Sequence, residues 1–131
     1  MLLRPTLEQY DVRFATTDAA LGRQRNISQV EVLPDCNKDQ PFRSMLCALA
    51  ALRIVLRHRP DTVLSTGAAP GLMCIIAGRL TGAKTMWIDS VANGEELSMC
   101  GKLSRRLAHV CLTQWEHLAA QPRVDYRGAV L

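Results

Sequence analysis

The fold is decided by one stretch of the sequence, Arg59-Pro-Asp-Thr-Val-Leu-Ser-Thr-Gly-Ala-Ala-Pro-Gly71. Its first half, Asp61 to Thr66, is β-branched and apolar like a buried strand, and Gly67 then permits a tight turn. Pro70 suits the start of a helix, and we predict it as the first helical residue. A strand, a short turn and a helix in this order predict an α/β fold, in which ligands bind at the carboxyl ends of the strands.

The glycines of this turn have two interpretations. Free backbone N–H groups at the helix start can hold a phosphate, a carboxylate or a sugar hydroxyl. Alternatively, Gly67 and Gly71 only reverse the chain and let the helix pack closely on the strand. The spacing matches neither the dinucleotide-binding fingerprint nor the phosphate loop that ends in Gly-Lys-Ser/Thr.

Strand and helix patterns continue on both sides of this stretch. Short apolar or alternating runs predict strands at Tyr10 to Thr16, Val30 to Leu33, Lys84 to Ile88, Val110 to Thr113 and Asp125 to Arg127. Helical spacing predicts helices at Pro41 to His58, Pro70 to Leu80 and Ser98 to Ala108. The alternation predicts a single Rossmann-like α/β domain over residues 1–131, with a mostly parallel sheet and helices on both faces.

Two of these helices have apolar stripes. In the first, the large apolar residues recur at helical spacing with arginines on the other faces: Met45, Leu49, Leu52 and Leu56, with Arg43, Arg53 and Arg57. In the second, the predicted buried residues are Leu72, Ile75, Ile76 and Leu80, and Gly82 is the predicted C-terminal cap. Both helices are therefore predicted to be amphipathic.

The composition is that of one basic, globular domain. The 131 residues include 48% hydrophobic and 21% charged residues, which excludes wholesale disorder. The formal net charge of +4 favours anionic partners such as phospholipid surfaces or phosphorylated substrates. The two Trp, two Tyr and two Phe do not interleave with the arginines, so nucleic acid is not a predicted partner.

Neither the cysteines nor the histidines predict a metal site. The five cysteines form no Cys-x-x-Cys pair, and the three histidines lack metal-ligand spacing, so we predict no metal, no cofactor and a reducing cytoplasm. Cys47, Cys74 and Cys111 lie in apolar stretches and are predicted as small core residues. No apolar run approaches the roughly 20 residues of a membrane span, so the chain is predicted to be soluble or to lie on a membrane surface.

Three loops follow predicted parallel strands and are expected at one edge of the sheet: 67–71, 89–96 and 114–117. Asp89 is placed either to accept a proton from a substrate hydroxyl or to cap the next turn, and the pattern does not separate the two. Trp115 either stacks on a sugar ring or packs in the core. Ser98 and Lys102 either meet a phosphate or cap a helix. No nucleophile, base and orienting group come together, so hydrolase chemistry is not supported.

Four ordered segments and the closing residues resemble one known family. They are Pro60-Asp-Thr-Val-Leu-Ser-Thr-Gly-Ala-Ala-Pro-Gly71, Gly82-Ala-Lys-Thr-Met-Trp-Ile-Asp-Ser90, Ser98-Met-Cys-Gly-Lys-Leu103, Leu112-Thr-Gln-Trp-Glu-His-Leu118 and Tyr126-Arg-Gly-Ala-Val-Leu131. The family comprises bacterial polysaccharide-biosynthesis glycosyltransferase subunits. They are related to the eukaryotic membrane-anchoring subunit of the UDP-N-acetylglucosamine transferase of lipid-linked oligosaccharide synthesis. The resemblance is strong from about residue 60 onward and loose before it.

The resemblance implies one half of a GT-B glycosyltransferase. This chain is then the acceptor-side domain, and a separate donor-binding subunit holds the UDP-sugar, which carries N-acetylglucosamine or a related hexose. The implied acceptor is a sugar linked to a polyprenyl diphosphate. The implied location is the cytoplasm, as a peripheral protein on the inner face of the cell membrane. Transfer in such enzymes usually proceeds without a metal ion.

The predicted site combines this resemblance with the strand ends. Asp89 is the predicted catalytic residue, because it stands where relatives often carry Glu. The predicted acceptor-binding residues are Thr66, Gly67, Ala68, Ala69, Gly71, Ser90, Ser98, Lys102, Gln114, Trp115 and Glu116.

The sequence departs from the family in one respect. Relatives open with an apolar strand and a Gly-Gly-His loop, neither of which is present here, so the prediction is of an N-terminally truncated domain whose sheet is rearranged or broken. Three alternatives stay open: a non-catalytic membrane-recruitment subunit that uses the arginine-bearing helix 42–58, an inactive truncated copy, and a stand-alone nucleotide-binding domain.

Overall fold

The computed structural model describes residues 5, 9–16, 30–34, 39–89 and 94–128. Strands and helices alternate along this part of the chain. They are β1 (Phe14–Thr16), β2 (Val30–Val32), α1 (Pro41–His58), β3 (Thr62–Ser65), α2 (Ala68–Leu80), β4 (Lys84–Ile88), α3 (Met99–Leu107), β5 (Val110–Thr113), a 3-10 helix (Glu116–Ala120) and β6 (Asp125–Tyr126). The predicted bounds of α1, β4 and β5 are those observed, whereas β1 is shorter than predicted. The 3-10 helix was not predicted.

The described strands form two parallel sheets. Strands β3, β4, β5 and β6 are neighbours in that order, and every pairing between them is parallel. Strands β1 and β2 pair in parallel with each other in a second sheet. The α/β prediction with a parallel sheet is therefore confirmed.

Helix α2 lies unusually close to the sheet. A methyl group added at Gly78 would lie 2.8 Å from Val63 Cγ2, and one added at Gly71 would overlap the Ser65 hydroxyl. Two corrections concern this helix. It begins at Ala68, so Pro70 is its third residue, where the N–H is one of those without an intrahelical partner. Leu80 is not in the buried stripe but 75% exposed, because it ends the helix.

The end of α2 follows the prediction. Thr81 caps the helix through its backbone N–H, and Gly82 then adopts a φ of 86°, in the left-handed region that favours glycine. Leu72 and Ile75 are buried as predicted. They pack with the completely buried Trp87 in the main core cluster, which also contains Cys111.

The face of helix α1 that is buried is not the face that carries most of its large apolar residues. Its buried residues are the small or medium-sized Cys47, Ala51 and Val55, which recur every four positions. Ala51 and Val55 pack with Ala77 of α2 and with Leu33 after β2. Leu52 and Ile54 are half-buried against this cluster. The other large apolar residues of the helix point outward and stay exposed: Phe42, Met45, Leu46, Leu49 and Leu56. Close approach to α2 requires small residues, so tertiary packing selects the small-residue face.

The predicted core cysteines lie in apolar surroundings. Cys47 and Cys111 are buried, and Cys74 is half-buried. Burial raises the pKa of the Cys74 thiol to about 11. Burial, and then the negative charge of Asp89, raise the pKa of the Cys111 thiol to about 12. No described helix combines the length and apolar character that a bilayer span requires.

Candidate functional site

The strand register brings the ends of β3, β4 and β5, which precede the three predicted loops, to one edge of the four-stranded sheet. Ser65 of β3 pairs with Trp87 of β4, and Ile88 of β4 pairs with Leu112 of β5. Neighbouring strands lie about 4.8 Å apart. The turn after β3, the end of β4 and the end of β5 therefore lie within two strand spacings, about 10 Å. We call this the carboxyl edge.

The turn after β3 presents backbone more than side chains. Gly67 has a φ of 141° and a ψ of 179°, which L side chains rarely adopt, so the turn requires glycine. Thr66 is exposed and Ala69 is half-buried. No described side chain caps the start of α2, and its first turn carries no acidic residue. This end of α2 can therefore accept an anion or a hydroxyl.

Asp89 holds the end of β4 to the start of α3. It is only 1% exposed. Its Oδ1 accepts hydrogen bonds from Trp87 Nε1 (3.1 Å) and Ser98 Oγ (2.6 Å), and its Oδ2 accepts one from Ser98 N (3.0 Å). Among the described residues, each of these partners donates to a carboxylate oxygen. The geometry makes Asp89 an anchor of the α3 start, and its catalytic role stays a prediction.

Ser98 and Lys102 form the start of α3. Ser98 is the N-cap, and its Oγ accepts from Gly101 N at 2.9 Å. Gly101 lies against the anchor, since an added methyl group would be 2.7 Å from Asp89 Oδ1. Lys102 is exposed and paired with Glu96 at 2.9 Å, and this hydrogen bond, with the lysine charge, lowers the pKa of Glu96. Lys102 thus places a cation at the carboxyl edge.

The end of β5 supplies polar and aromatic groups. Gln114 is buried, whereas Trp115 is 41% exposed and Glu116 is exposed. Trp115 N donates to Thr113 Oγ1 at 3.1 Å, which fixes the turn that presents the indole. One side of the indole packs on Gly94, so that an added methyl group there would be 3.2 Å from Trp115 Cε2. Trp115 is therefore not one of the core residues, and its stacking on a sugar ring stays a prediction.

His117 belongs to the same corner, although it was predicted only as part of a lining loop. Its Nε2 donates to the Gly94 carbonyl at 2.5 Å, and its ring centroid lies 6.1 Å from that of Trp115. The sequence signal that could have identified His117 is its position two residues after an aromatic residue at the end of a strand. Of the remaining predicted residues, Ser90 and the side chain of Ala68 lie outside the described structure.

The edge can bind hydroxyl, phosphate and sugar groups. It offers helix N–H groups near Gly67 that no described side chain caps, the Lys102 ammonium, and the exposed indole and imidazole of Trp115 and His117. Among the described residues, no group of three His, Cys, Asp or Glu side chains is arranged to hold a metal ion.

Comparison with solved structures relates the whole fold to a glycosyltransferase of the GT-B class. The chain superposes on the crystal structure of Acinetobacter baumannii MurG with a TM-score of 0.79 at 15% sequence identity. The superposition covers 98% of this chain and 40% of MurG, so the chain corresponds to one half of the GT-B architecture. Identity this low establishes the fold alone. A search among curated proteins found no match.

The sequence itself establishes the family. Residues 19–130 match the family model described as "Oligosaccharide biosynthesis protein Alg14 like", which is most of the chain. This agrees with the resemblance carried by the four ordered segments. The chain belongs to the Alg14-like family of oligosaccharide biosynthesis proteins.

Proposed function

We propose that this chain is the acceptor-binding subunit of a two-chain glycosyltransferase. A separate donor-binding subunit holds a UDP-sugar, and this chain presents a sugar linked to a polyprenyl diphosphate. The transferred sugar is N-acetylglucosamine or a related hexose. The observation that carries the proposal is the family match together with the coverage of the GT-B fold, in which the whole chain accounts for 40% of the other protein.

The chemistry of the carboxyl edge supports an acceptor role. The start of α2 and Lys102 suit the negative charge of a diphosphate. The exposed face of Trp115 suits the apolar face of a sugar ring. The turn at Gly67 lacks the signature of a nucleotide phosphate loop. The absence of this signature favours binding of the nucleotide by a partner chain. It disfavours the alternative in which this chain binds the nucleotide alone.

Reconstitution tests the proposal. The full chain and its donor-binding partner would be co-expressed, purified as a complex, and given a radiolabelled UDP-sugar and a short polyprenyl-diphosphate-linked sugar. We expect radiolabel in the lipid fraction only when both chains are present. Lys102→Gln should raise the KM for the lipid acceptor, while Lys84→Gln, at the amino end of β4, serves as the matched control. Transfer by the partner alone would contradict the proposal.

The outer face of α1 supports peripheral membrane contact. Phe42, Met45 and Leu49 are 84%, 64% and 58% exposed, at positions that recur along one side of the helix. Arg43 and Arg53 are exposed on the same helix. An apolar stripe with neighbouring cations is typical of helices that lie in the interface of an anionic bilayer.

The direction of α1 supports an approach of the membrane from the side of the carboxyl edge. Its last residues share a surface cleft with the amino ends of β3 and β4, including Leu56, Thr62 and Lys84. The C-terminal end of α1 therefore lies at the amino edge of the sheet. The other end, with Phe42 and Met45, points toward the carboxyl edge. A bilayer that contacts this end would bring a lipid-linked acceptor to the site from the side.

Vesicle co-sedimentation tests the contact. We expect the full chain to sediment with vesicles that contain phosphatidylglycerol, and the variant Phe42→Ser/Leu46→Ser/Leu49→Ser to lose at least ten-fold in affinity. Arg53→Gln should reduce binding mainly at low salt. A serine triple variant that binds as well as the wild type would remove α1 from the interface. Binding without sugar transfer in the reconstituted complex would favour the recruitment alternative.

A further inference from the structure

His117 is a histidine at the carboxyl edge that the predicted site does not use. It is exposed and lies in the first turn of the 3-10 helix, two residues after Trp115. Its ring is tilted by 52° to the indole at a centroid distance of 6.1 Å. A sugar ring stacked on Trp115 would therefore carry its hydroxyl groups beside the imidazole.

One hydrogen bond defines the tautomer of this imidazole. A backbone carbonyl only accepts, so Nε2 must carry the proton that is donated to Gly94 O. In the neutral ring Nδ1 then carries the lone pair. Within the described residues, Nδ1 has no hydrogen-bond partner. A fixed orientation, a defined tautomer and an accessible lone pair are the properties of a general base.

The other carboxyl-edge candidates are less suited to this task. Both oxygens of Asp89 are occupied by donors, and the group is 1% exposed. Glu96 is paired with Lys102. Glu116 precedes His117 in the chain and is exposed, with no carbonyl or side chain in the described structure to orient it. Histidine is also the side chain whose charge change falls in the physiological range of pH.

We propose that His117 is the catalytic base that deprotonates the acceptor hydroxyl, a role that rests on the proposed glycosyl transfer. The O–H bond of the acceptor breaks, and its proton passes to Nδ1 of His117. The hydroxyl oxygen forms a bond to the anomeric carbon of the UDP-sugar. The bond from that carbon to the diphosphate oxygen breaks, and its electron pair leaves with UDP. The imidazolium then returns its proton to solvent.

Charged groups of both signs surround the 3-10 helix. They are Glu95 and Glu96 in the loop after β4, Lys102 and Arg105 on α3, Glu116 beside His117, and Arg123, Asp125, Tyr126 and Arg127 at β6. Lys102 is paired with Glu96.

The variant His117→Gln separates catalysis from structure. A glutamine amide can keep the donation to Gly94 O but has no basic nitrogen. In the reconstituted two-chain complex we expect kcat to fall by about 100-fold or more, with the KM for the acceptor within about three-fold of wild type. We expect the wild-type rate to fall at acidic pH and expect this fall to be absent in the variant. His58→Gln, at the far end of α1, should keep both the wild-type rate and its fall at acidic pH.

The outcomes distinguish this proposal from the function on which it rests. No transfer by the wild-type complex overturns glycosyl transfer and the role of His117 together. Wild-type transfer with an unchanged rate in His117→Gln overturns the role of His117 alone. If the fall of the rate at acidic pH disappears in Glu116→Gln but persists in His117→Gln, the base is Glu116, and the proposal is overturned. Thermal unfolding of each variant confirms that the compared proteins are folded.

Discussion

Replacing Asp89 by asparagine tests whether this buried carboxylate holds the carboxyl edge together. The substitution keeps the size of the side chain but exchanges one accepting oxygen for a donating amide. Asp89 meets three donors, namely Trp87 Nε1, Ser98 Oγ and Ser98 N. An asparagine oxygen in the Oδ1 position would keep the first two. The amide would then face Ser98 N, donor against donor.

The magnitude follows from these contacts. Loss of one hydrogen bond to a charged group costs about 1.5–3 kcal/mol, and the two that remain become weaker neutral bonds. The charge is no longer held out of water in the variant, which offsets part of this cost. We expect a net loss of about 2 kcal/mol in the free energy of unfolding. For a domain of this size that lowers Tm by roughly 6–10 °C.

Urea and thermal unfolding, followed by far-ultraviolet circular dichroism, measure the effect. Asp61→Asn is the matched control, because Asp61 is exposed at the start of β3 and should change the free energy of unfolding by less than about 0.5 kcal/mol. A Tm for Asp89→Asn within about 1 °C of wild type would refute the anchoring role. Wild-type stability with abolished sugar transfer would instead restore Asp89 as a catalytic residue.

Three further substitutions and one thiol reaction test the fold. Gly78→Ala should destabilise the chain by about 1–3 kcal/mol in urea unfolding, since the methyl group meets Val63 at 2.8 Å; a variant as stable as wild type would contradict the close α2 packing. Ala51→Leu should destabilise by a similar amount, whereas Leu49→Ser should change stability by less than about 1 kcal/mol, and the reverse order would mean that α1 is turned the other way. Cys111, whose pKa is raised to about 12, should react with iodoacetamide at pH 8 far more slowly in the folded chain than in guanidinium chloride. Since its unfolded pKa is near 8.5, its contribution to stability should be complete below that pH and decline as pH rises toward 12, as urea unfolding at several pH values would show.

Local signals were sufficient for most secondary structure. The run from Lys84 to Ile88 is apolar and β-branched, and its bounds were predicted correctly. The position of Gly82 after α2 was also correct, because the left-handed conformation there favours glycine regardless of what packs nearby. The error at Pro70 has a local cause as well, since proline is tolerated anywhere in the first turn.

The orientation of α1 could not be predicted from periodicity. The helix has two candidate inner faces, one with Met45 and Leu49 and one with Cys47, Ala51 and Val55. Hydrophobicity alone favours the larger side chains. The close approach of α2 favours the smaller ones, and that approach depends on residues some 30 positions away in the sequence. The choice is made by tertiary packing, which a pattern within one helix does not contain.

The sequence allowed the location of the candidate site at one edge of the sheet to be predicted. It did not allow the contacts between the side chains at that edge to be predicted. The rule that ligands bind at the carboxyl ends of parallel strands correctly grouped the turns at Thr66, Asp89 and Gln114. It could not show that Ser98 returns to Asp89, because that contact depends on the path of the intervening loop. For the same reason it missed His117, whose orientation depends on the carbonyl of Gly94.

The proposed lipid-linked acceptor would account for both the exposed stripe of α1 and the carboxyl edge. A soluble acceptor would require the polar edge alone, and exposed residues such as Phe42 and Leu46 would then only favour aggregation. A lipid-linked acceptor requires both surfaces, because its diphosphate and sugar sit in water while its chain stays in the bilayer. A bilayer that meets the Phe42 end of α1 would lie on the side of the sheet to which the carboxyl ends of its strands point. The acceptor then need not leave the membrane to reach the base, and loss of the α1 stripe should raise the KM for a long-chain acceptor far more than for a short, water-soluble one.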